Sequence, residues 1–494
     1  MSIIKISALA AATDISATDD VAMRDISDSS MAPTGTTKRP SVAQLAEVMA
    51  GGAYNIKLYG AKGDGTTDDT IAIASAITAA GVGGHLYAPA GTYIVNPYLI
   101  AEDGTNSYYA AIQLNSGQTL RGAGRGSTIF KLKAGAQTST VGGLSSSMLK
   151  TLHPISGTDK NITISDCTFD GNGINQGSSV HHGVSPLRVR GIKLERLIIK
   201  NFRGTNSSGW NESFHQDFTI CSNASAADCE CLTDDGSSSA SGFSANGSTN
   251  VMYVNCSSHG MTVAMGYTHY GSTNIQYVNC NAYLNTNGWG FNSEESDEVI
   301  YTNCVAGGIA GTGPPPGFSS GQSLGNSQGF VINGTLNAVL TGCIAKKNAA
   351  AGISFVTGSR ASVGQINGGV VADNAFGYTE TGAGINGKVR ITGVQFVNNT
   401  TADLGLPGGY TAYVYGTEAQ PAQTVPANNV SMQNQFPMDM VVYIAGGTVS
   451  AISVGWASGS VAPTGLIAGT IRVPAGAWIK LNYTVAPTWH WFFG

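Results

Sequence analysis

The sequence predicts an all-β chain wound into a parallel β-helix, and three observations carry that prediction. A seven-residue run recurs every 24 residues: Asn250-Val251-Met252-Tyr253-Val254-Asn255-Cys256, then Asn274-Ile275-Gln276-Tyr277-Val278-Asn279-Cys280, then Glu298-Val299-Ile300-Tyr301-Thr302-Asn303-Cys304. Each of these cysteines lies 14 residues after the glycine of a glycine–aromatic pair, Gly242-Phe243, Gly266-Tyr267 and Gly290-Phe291. Within the runs apolar and polar residues alternate, the period of a strand with one face buried. A repeat of this length built from β-type runs fits three short strands joined by turns in each coil of a solenoid.

The same offset reaches beyond the three regular coils. Asp217-Phe218 leads to Cys231, Gly329-Phe330 to Cys343, Gly352-Ile353 to Ile366 and Gly183-Val184 to Leu197. Cys167 and Val394 close equivalent runs. Wider spacings mark insertions: 30 residues from Cys167 to Leu197, 34 from Leu197 to Cys231 and 39 from Cys304 to Cys343. Cysteines recurring at one position of a coil read as stacked, buried free thiols rather than disulfides. Cys229 and Cys231 have no second cysteine–histidine pair at metal-finger spacing, so neither a metal nor another cofactor is expected.

Composition narrows the function classes. Charged residues make up only 11% of the 494, and the formal charge of -5 lacks the basic stripe that nucleic-acid binding requires. Gly, Ser, Thr and Asn are abundant, as many tight turns demand. No apolar run reaches the length of a membrane span and no signal-peptide pattern opens the sequence.

Residues 1–52 differ from the rest. They hold few aromatics, with a loop-like stretch from Ser29 to Pro40 and a short helix expected over Ala43 to Met49, capped by Ser41 and ended by Gly51-Gly52. They read as an attachment or linker segment. In the run Tyr59 to Thr70, Gly63-Asp64-Gly65 makes a tight turn, and Thr67 or Asp68 caps a helix through Ile71, Ile73 and Ile77 to Ala80. The Lys-Ser/Thr of a nucleotide loop is missing, so the helix is expected to cover the open end of the solenoid, where strand edges would otherwise be exposed. Gly84 to Val95 forms the first full turn, and Arg121 to Gly126 a Gly-rich turn.

The run Tyr59 to Asp69, followed by Pro89-Ala90-Gly91-Thr92-Tyr93, resembles the opening of the pectate-lyase-like superfamily of right-handed β-helices, to which many phage tailspikes and capsule depolymerases belong. The resemblance spans about residues 54–400. It implies a right-handed helix over 53–406, a virion-binding N-terminus at 1–52 that docks a phage tail or baseplate protein, a homotrimer, and a C-terminal trimerisation or glycan-binding module at 407–494. In that last stretch the repeat stops, and strand-like runs Met440 to Ile444, Thr448 to Val454, Gly469 to Val473 and Trp478 to Tyr483 predict a small β-sandwich. The aromatic tip Trp489-His490-Trp491-Phe492-Phe493 reads as core or subunit interface, or alternatively as a sugar platform.

Carboxylates are scarce, yet six of the 30 fall within residues 212–235: Glu212, Asp217, Asp228, Glu230, Asp234 and Asp235. The plain reading is a solvated charged loop. The functional reading is a carboxylate pair for glycoside hydrolysis, one acid protonating the leaving oxygen while the other activates water or attacks the sugar. A separation of 24 residues places Asp235 beside His259 on neighbouring coils. His215-Gln216-Asp217, Asp234-Asp235 and Ser258-His259-Gly260 resemble, in order, the Asn-x-Asp, Asp-Asp and Gly-His-Gly elements of polygalacturonases. The match implies Asp217, Asp234 and Asp235 as acid and base with His259 in support. His215 replaces the asparagine, and the Arg-x-Lys element that should fall near Asn287 to Phe291 has no cation, which weakens the case for an acidic sugar. Trp210, Glu212, His215, Trp289 and Glu294 are further candidates for substrate binding. His181, His182, Arg188 and Arg190 could contact an anionic glycan. No calcium-loop pattern occurs. The reading is a phage tailspike, acting at the host cell surface, that binds and hydrolyses a bacterial surface polysaccharide; the alternatives are a non-catalytic glycan-binding protein and a polysaccharide lyase.

Overall fold

The computed structural model describes residues 23–25, 36–38 and 52–493, apart from 103–106, 138–145, 152–157, 178, 180, 205–213, 238–239, 262–264, 286–287, 309–325, 360–361, 382–387, 406–410, 416–424, 435–438 and 475. The helix expected over Ala43 to Met49 lies outside these residues. Met23–Asp25 and Thr36–Lys38 pair as antiparallel strands.

The chain is a right-handed parallel β-helix. Each coil gives one strand to each of three sheets, in the order one, two, three. Among the described residues sheet one holds 13 strands and sheets two and three 12 each. In the regular coils sheet one contains Thr249–Val254, Thr273–Val278 and Asp297–Thr302. Sheet two contains Ser257–His259, Asn281–Tyr283 and Val305–Gly307. Sheet three contains Ser241–Asn246, Tyr267–Tyr270 and Trp289–Glu294.

The recurring motif has a local cause. Its two asparagines stand at the ends of the sheet-one strand with positive φ: 55° and 52° at Asn250 and Asn255, 54° and 53° at Asn274 and Asn279. Asparagine tolerates this left-handed region better than most residues, so the chain can bend there. Side chains then ladder between coils, Asn274 to Asn250 at 2.9 Å and Asn279 to Asn255 at 3.2 Å. The corner from sheet one to sheet two is short in every regular coil, whereas the corner from sheet two to sheet three varies from Tyr283–Trp289 to Gly307–Gln328.

Backbone hydrogen bonds fix which residues stack. The N–H after each corner residue bonds to the carbonyl of the equivalent residue one coil earlier: Glu230 to Leu197, Ser257 to Cys229, Asn281 to Cys256, Val305 to Cys280, Ile344 to Cys304 and Val370 to Cys343. The column is therefore Cys167, Leu197, Cys229, Cys256, Cys280, Cys304, Cys343, Gly369 and Val394. Two expected members are corrected. Cys231 pairs with Ser258 inside sheet two, and Ile366 with Leu340 inside sheet one. In both places a nearby apolar residue on another strand mimics the column residue in the sequence pattern. All eight cysteines are free and buried.

The core is built of aligned rings. Tyr253, Tyr277 and Tyr301 stack at 5.0 Å with 6° between successive planes. Phe243, Tyr267, Phe291 and Phe330 stack at 5.0, 4.6 and 4.8 Å. The two columns meet edge to face, for example Tyr277 on Phe291 at 5.7 Å. Each such pair contributes about 0.5–1.5 kcal/mol beyond area burial. Beside them, buried amides form a second ladder: Asn285 donates to Asn326, Asn326 to Asn348, Asn348 to Asn374 and Asn374 to Asn399, at 2.7–3.1 Å.

The helix runs Thr70–Ala80 and buries Ile73, Ala76 and Ile77 in the core of the first coils. Its N-cap is Asp69 rather than Thr67 or Asp68. Asp69 turns its carboxylate to the N–H groups of Lys62 and Gly63, holding the glycine turn against the helix. Gly63 sits at φ 63°, where a Cβ would meet the Tyr93 ring at 2.8 Å. A separate core, including Val442, Ile452, Ile479, Leu481 and Trp489, lies between a four-stranded and a three-stranded antiparallel sheet formed by residues from Ser431 onward. Thr488–Phe493 is a strand of the latter, pairing with Met440–Ala445.

Candidate functional site

Sheet two presents a charged outer face. In its strands Thr168–Asp170, Ile198–Lys200, Glu230–Leu232, Ser257–His259 and Asn281–Tyr283 the middle residue points inward and is buried, so the flanking residues face out. Register aligns Asp170, Lys200, Leu232, His259 and Tyr283 in one outer row. Thr168, Ile198, Glu230, Ser257 and Asn281 form the other.

His259 donates from Nε2 to Glu230 Oε1 at 2.9 Å, diagonally across neighbouring coils. Its ring stacks on Tyr283 at 4.7 Å and 10°. The hydrogen bond from His259 holds the Glu230 carboxyl below its usual range, against its partial burial; the charge of Arg125 helps and that of Asp234 opposes. In the following turn Asp234 bonds reciprocally with Asn201 and pairs with Lys200 at 3.3 Å. The side chains of Glu230, Lys200 and Asp234 are 32%, 26% and 43% exposed, so this cluster is open to solvent.

Asp235 does not stand beside His259 in the ladder. Leu232 does, because Cys229 rather than Cys231 occupies the corner column and shifts the register. The Asp235 carboxylate instead accepts the backbone N–H groups of Ile174 and Ser237, at 3.1 and 3.0 Å. His215 is fully buried, with Nδ1 3.0 Å from the Ser241 carbonyl oxygen, and burial pushes its pKa down to about 4.

Asp217 lies on a different sheet from the cluster. It is in sheet three between the inward Gln216 and Phe218, so it faces out, yet it is 2% exposed. Thr219 and Asn246 donate to its carboxylate. Lys150 occupies the same outer row two coils earlier, since Leu149 aligns with Val184 and Val184 with Gln216. It too is 2% exposed, near the Ser147 hydroxyl and 5.8 Å over the Tyr108 ring. Burial lowers its pKa to about 8 against the opposing charge of Asp217, while burial raises that of Asp217. Perturbed acid and amine groups in one place mark a candidate site for proton transfer.

Trp210 and Glu212 lie outside the described residues. Trp289 is half-buried at the start of its sheet-three strand, and Glu294 ends that strand with a carboxyl raised by burial. Neither belongs to the sheet-two cluster. His181 is buried, its Nδ1 2.9 Å from the Ser146 hydroxyl, and burial lowers its pKa to about 4. Glu230, Tyr283, Lys200 and Lys150 are the functional candidates that sequence reasoning passed over. Glu230 was visible as an acid, but only the true register gives it His259. Among the described residues no three His, Cys, Asp or Glu side chains converge as metal ligands.

Comparison with known proteins agrees with this architecture. The chain is 34% identical over 165 residues to the mannuronan C5-epimerase AlgE3 of Azotobacter vinelandii, covering 32% of this chain and 8% of that protein. It is 40% identical over 121 residues to alginate lyase 7 of the same organism, covering 24% of this chain and 13% of that protein. The chain thus spans a small part of the curated relatives it matches. The A-module of the Azotobacter vinelandii mannuronan C5-epimerase AlgE6 superposes with a TM-score of 0.52 at 20% identity, over 75% of this chain and all of that module, which shows a shared fold. The family model described as rhamnogalacturonase A/epimerase, pectate lyase-like, matches residues 53–310, just over half of the sequence. The chain belongs to this family of polysaccharide-acting β-helices.

Proposed function

We propose that the chain is a phage tailspike that binds and depolymerises a bacterial surface polysaccharide by glycosidic hydrolysis on the outer face of sheet two. The observation that carries the reading is the solvent-open pair of carboxylates, Glu230 and Asp234, one held by His259 and the other by Lys200. Glu230, kept ionised, activates water or attacks the anomeric carbon. Asp234 and His259 are the candidates for the acid that protonates the leaving oxygen. Tyr283 offers a ring face for a sugar. Asp235 acts through the turn it braces, and His215 through the packing beneath it. The tailspike part of the reading is supported by the layout: residues 1–52 ahead of a long solenoid and residues 407–494 behind it, with a homotrimer expected.

Host capsule or O-antigen incubated with the protein should lose chain length and gain reducing ends. Glu230→Gln and Asp234→Asn should each cut the rate by about 100-fold or more at unchanged melting temperature. Unchanged polymer size, or full activity in both variants, removes the proposal. Light scattering should give the mass of three chains, and virions assembled with a chain without residues 1–52 should not incorporate the protein.

A second reading is favoured by Lys150 and by the relatives named for mannuronan and alginate chemistry. In a uronic acid polymer the Lys150 amine, in its deprotonated form, takes the C5 proton, the C4–O4 bond breaks as C4=C5 forms, and the Asp217 carboxyl, in its protonated form, gives its proton to the departing O4. This elimination yields an ultraviolet-absorbing unsaturated sugar, which hydrolysis does not. Appearance of that chromophore, lost in Lys150→Met and kept in Glu230→Gln, selects the second reading over the first.

A further inference from the structure

The outer face of sheet two does not stop at the charged cluster. Towards the N-terminal end its strands run back through Thr128–Leu132 and Gly91–Val95 to Asp64–Asp68, the last strand of the sheet. There the face opens into a cleft of about 650 Å³ between the Gly63–Thr66 turn and the strand end Lys131–Ala134, with Asn172 and Asn175 on the third side. Lys131 lies in the same outer row as Asp170, Lys200, Leu232 and His259. The cleft and the cluster therefore lie along one continuous surface, three strand steps from Lys131 to Leu232, or roughly 15 Å at the usual strand spacing.

Among the residues lining the cleft two lysines, Lys131 and Lys133, stand against one carboxylate, Asp64. Phe130 and Leu132 are buried inward, so Lys131 faces out, and no acidic partner holds it among the described residues. Its ladder neighbour Asp170 accepts the Asn172 N–H. Lys133 has only a loose pair with Asp68 at 3.7 Å, both side chains well exposed. Asp64 contributes little free acceptor capacity, because its two oxygens take the N–H and hydroxyl groups of Thr66 and Thr67 at 2.7–3.0 Å. The remaining groups suit ring hydroxyls. Thr92 lines the cleft, and Asn175 uses its amide nitrogen on Asn172, leaving Oδ1 as an acceptor. The cleft holds none of the paired carboxylates that cleavage requires.

We propose that this cleft is a second carbohydrate site, which holds an anionic sugar unit of the polymer without cleaving it. Lys131 and Lys133 take the carboxylate, while Thr92 and Asn175 take hydroxyls. The ligand class rests on the polysaccharide reading above, but the site does not share residues with it. A polymer engaged here and at Glu230 is held at two points, so its effective concentration at the reacting bonds rises.

The test is calorimetric titration of the full chain carrying Glu230→Gln, with trigalacturonate and trimannuronate as probes, their carboxyl-reduced counterparts as neutral controls, and inorganic phosphate as a bare-anion control. At least one acidic trisaccharide should bind saturably, more weakly as salt rises. Lys131→Ala/Lys133→Ala should weaken that binding tenfold or more, and Asn175→Ala several-fold, with melting temperatures unchanged. No saturable binding of either acidic probe, equal binding of the neutral probes, phosphate binding as tight as the sugar, or full binding by the double-lysine variant overturns the proposal. In the otherwise native chain, Lys131→Ala/Lys133→Ala should raise the KM for polymer while leaving kcat in place. Absence of cleft binding in the Glu230→Gln chain, with cleavage by the native chain intact, refutes this site alone. Cleft binding with no cleavage refutes the hydrolytic reading alone.

Discussion

The coils from Asn250 to Cys304 and those from Cys167 to Cys256 use the same three-sheet frame for opposite ends. In the first stretch every coil has one length, rings stack within 5.0 Å, and left-handed residues, Asn except for Glu298, repeat at both bends of the sheet-one strand. In the second the coil length changes from coil to coil, and Lys200, Glu230, Asp234 and the buried Asp217 gather on the outer faces. Regularity builds a core, and departures from it place polar groups where the frame alone would not. Substitutions in the regular stretch should thus cost stability, and those on the outer faces of the irregular stretch should cost function.

The largest stability loss expected is from Tyr277→Ala, which removes a ring stacked on both sides. About 3–5 kcal/mol should disappear from the denaturant unfolding free energy. A loss under about 1 kcal/mol would mean the stack is not the core of the regular coils.

Next comes acidification. Burial lowers the pKa of His269, in the regular coils, to about 3 and that of His215, in the irregular ones, to about 4. An unfolded histidine binds its proton near pH 6.5. Between that value and the folded pKa the unfolded chain carries more protons, so stability falls as pH drops through this window. The loss is on the order of 3 kcal/mol per histidine at the acid end. Melting temperature followed against pH should show the slope, and His215→Gln and His269→Gln should each remove a share of it.

A smaller effect is expected for Asn326→Ala, which interrupts the buried amide ladder and should cost about 1–3 kcal/mol. Asn279→Ala, at a left-handed bend, should cost about 1–2 kcal/mol, while Asn279→Gly should be near neutral. Asp234→Asn should change stability by less than about 1 kcal/mol, since its ion pair is largely solvated, while lowering cleavage. A large stability loss there would assign Asp234 to the frame instead of to the site.

Much of the frame was legible because backbone geometry leaves a residue signature. Asn at positive φ, aromatic pairs after glycine and the 24-residue beat mark the coils directly. The strands Met440–Ala445 and Gly469–Val473 were visible from alternation. The amide ladder from Asn285 to Asn399 was not, because each rung follows a corner of different length and the spacing changes each time. The candidate site was legible only in composition. The acids near residue 230 stood out, but this coil steps 27 residues, from Leu232 to His259, and not the 24 that would bring Asp235 there. Three residues separate the expected neighbour, Asp235, from the observed one, Leu232, and only the hydrogen-bond ladder resolves them. Lys150 carried no sequence signal, since its significance lies in burial on an outward row.

The uneven corners have one further consequence. Because the turn into sheet two keeps its length while the turn out of it varies, additions on that side leave the stacked rings undisturbed and depart from the edge of the sheet that carries the charged groups. A protein of this design can acquire a new glycan preference by extending a single edge, at almost no risk to its folding.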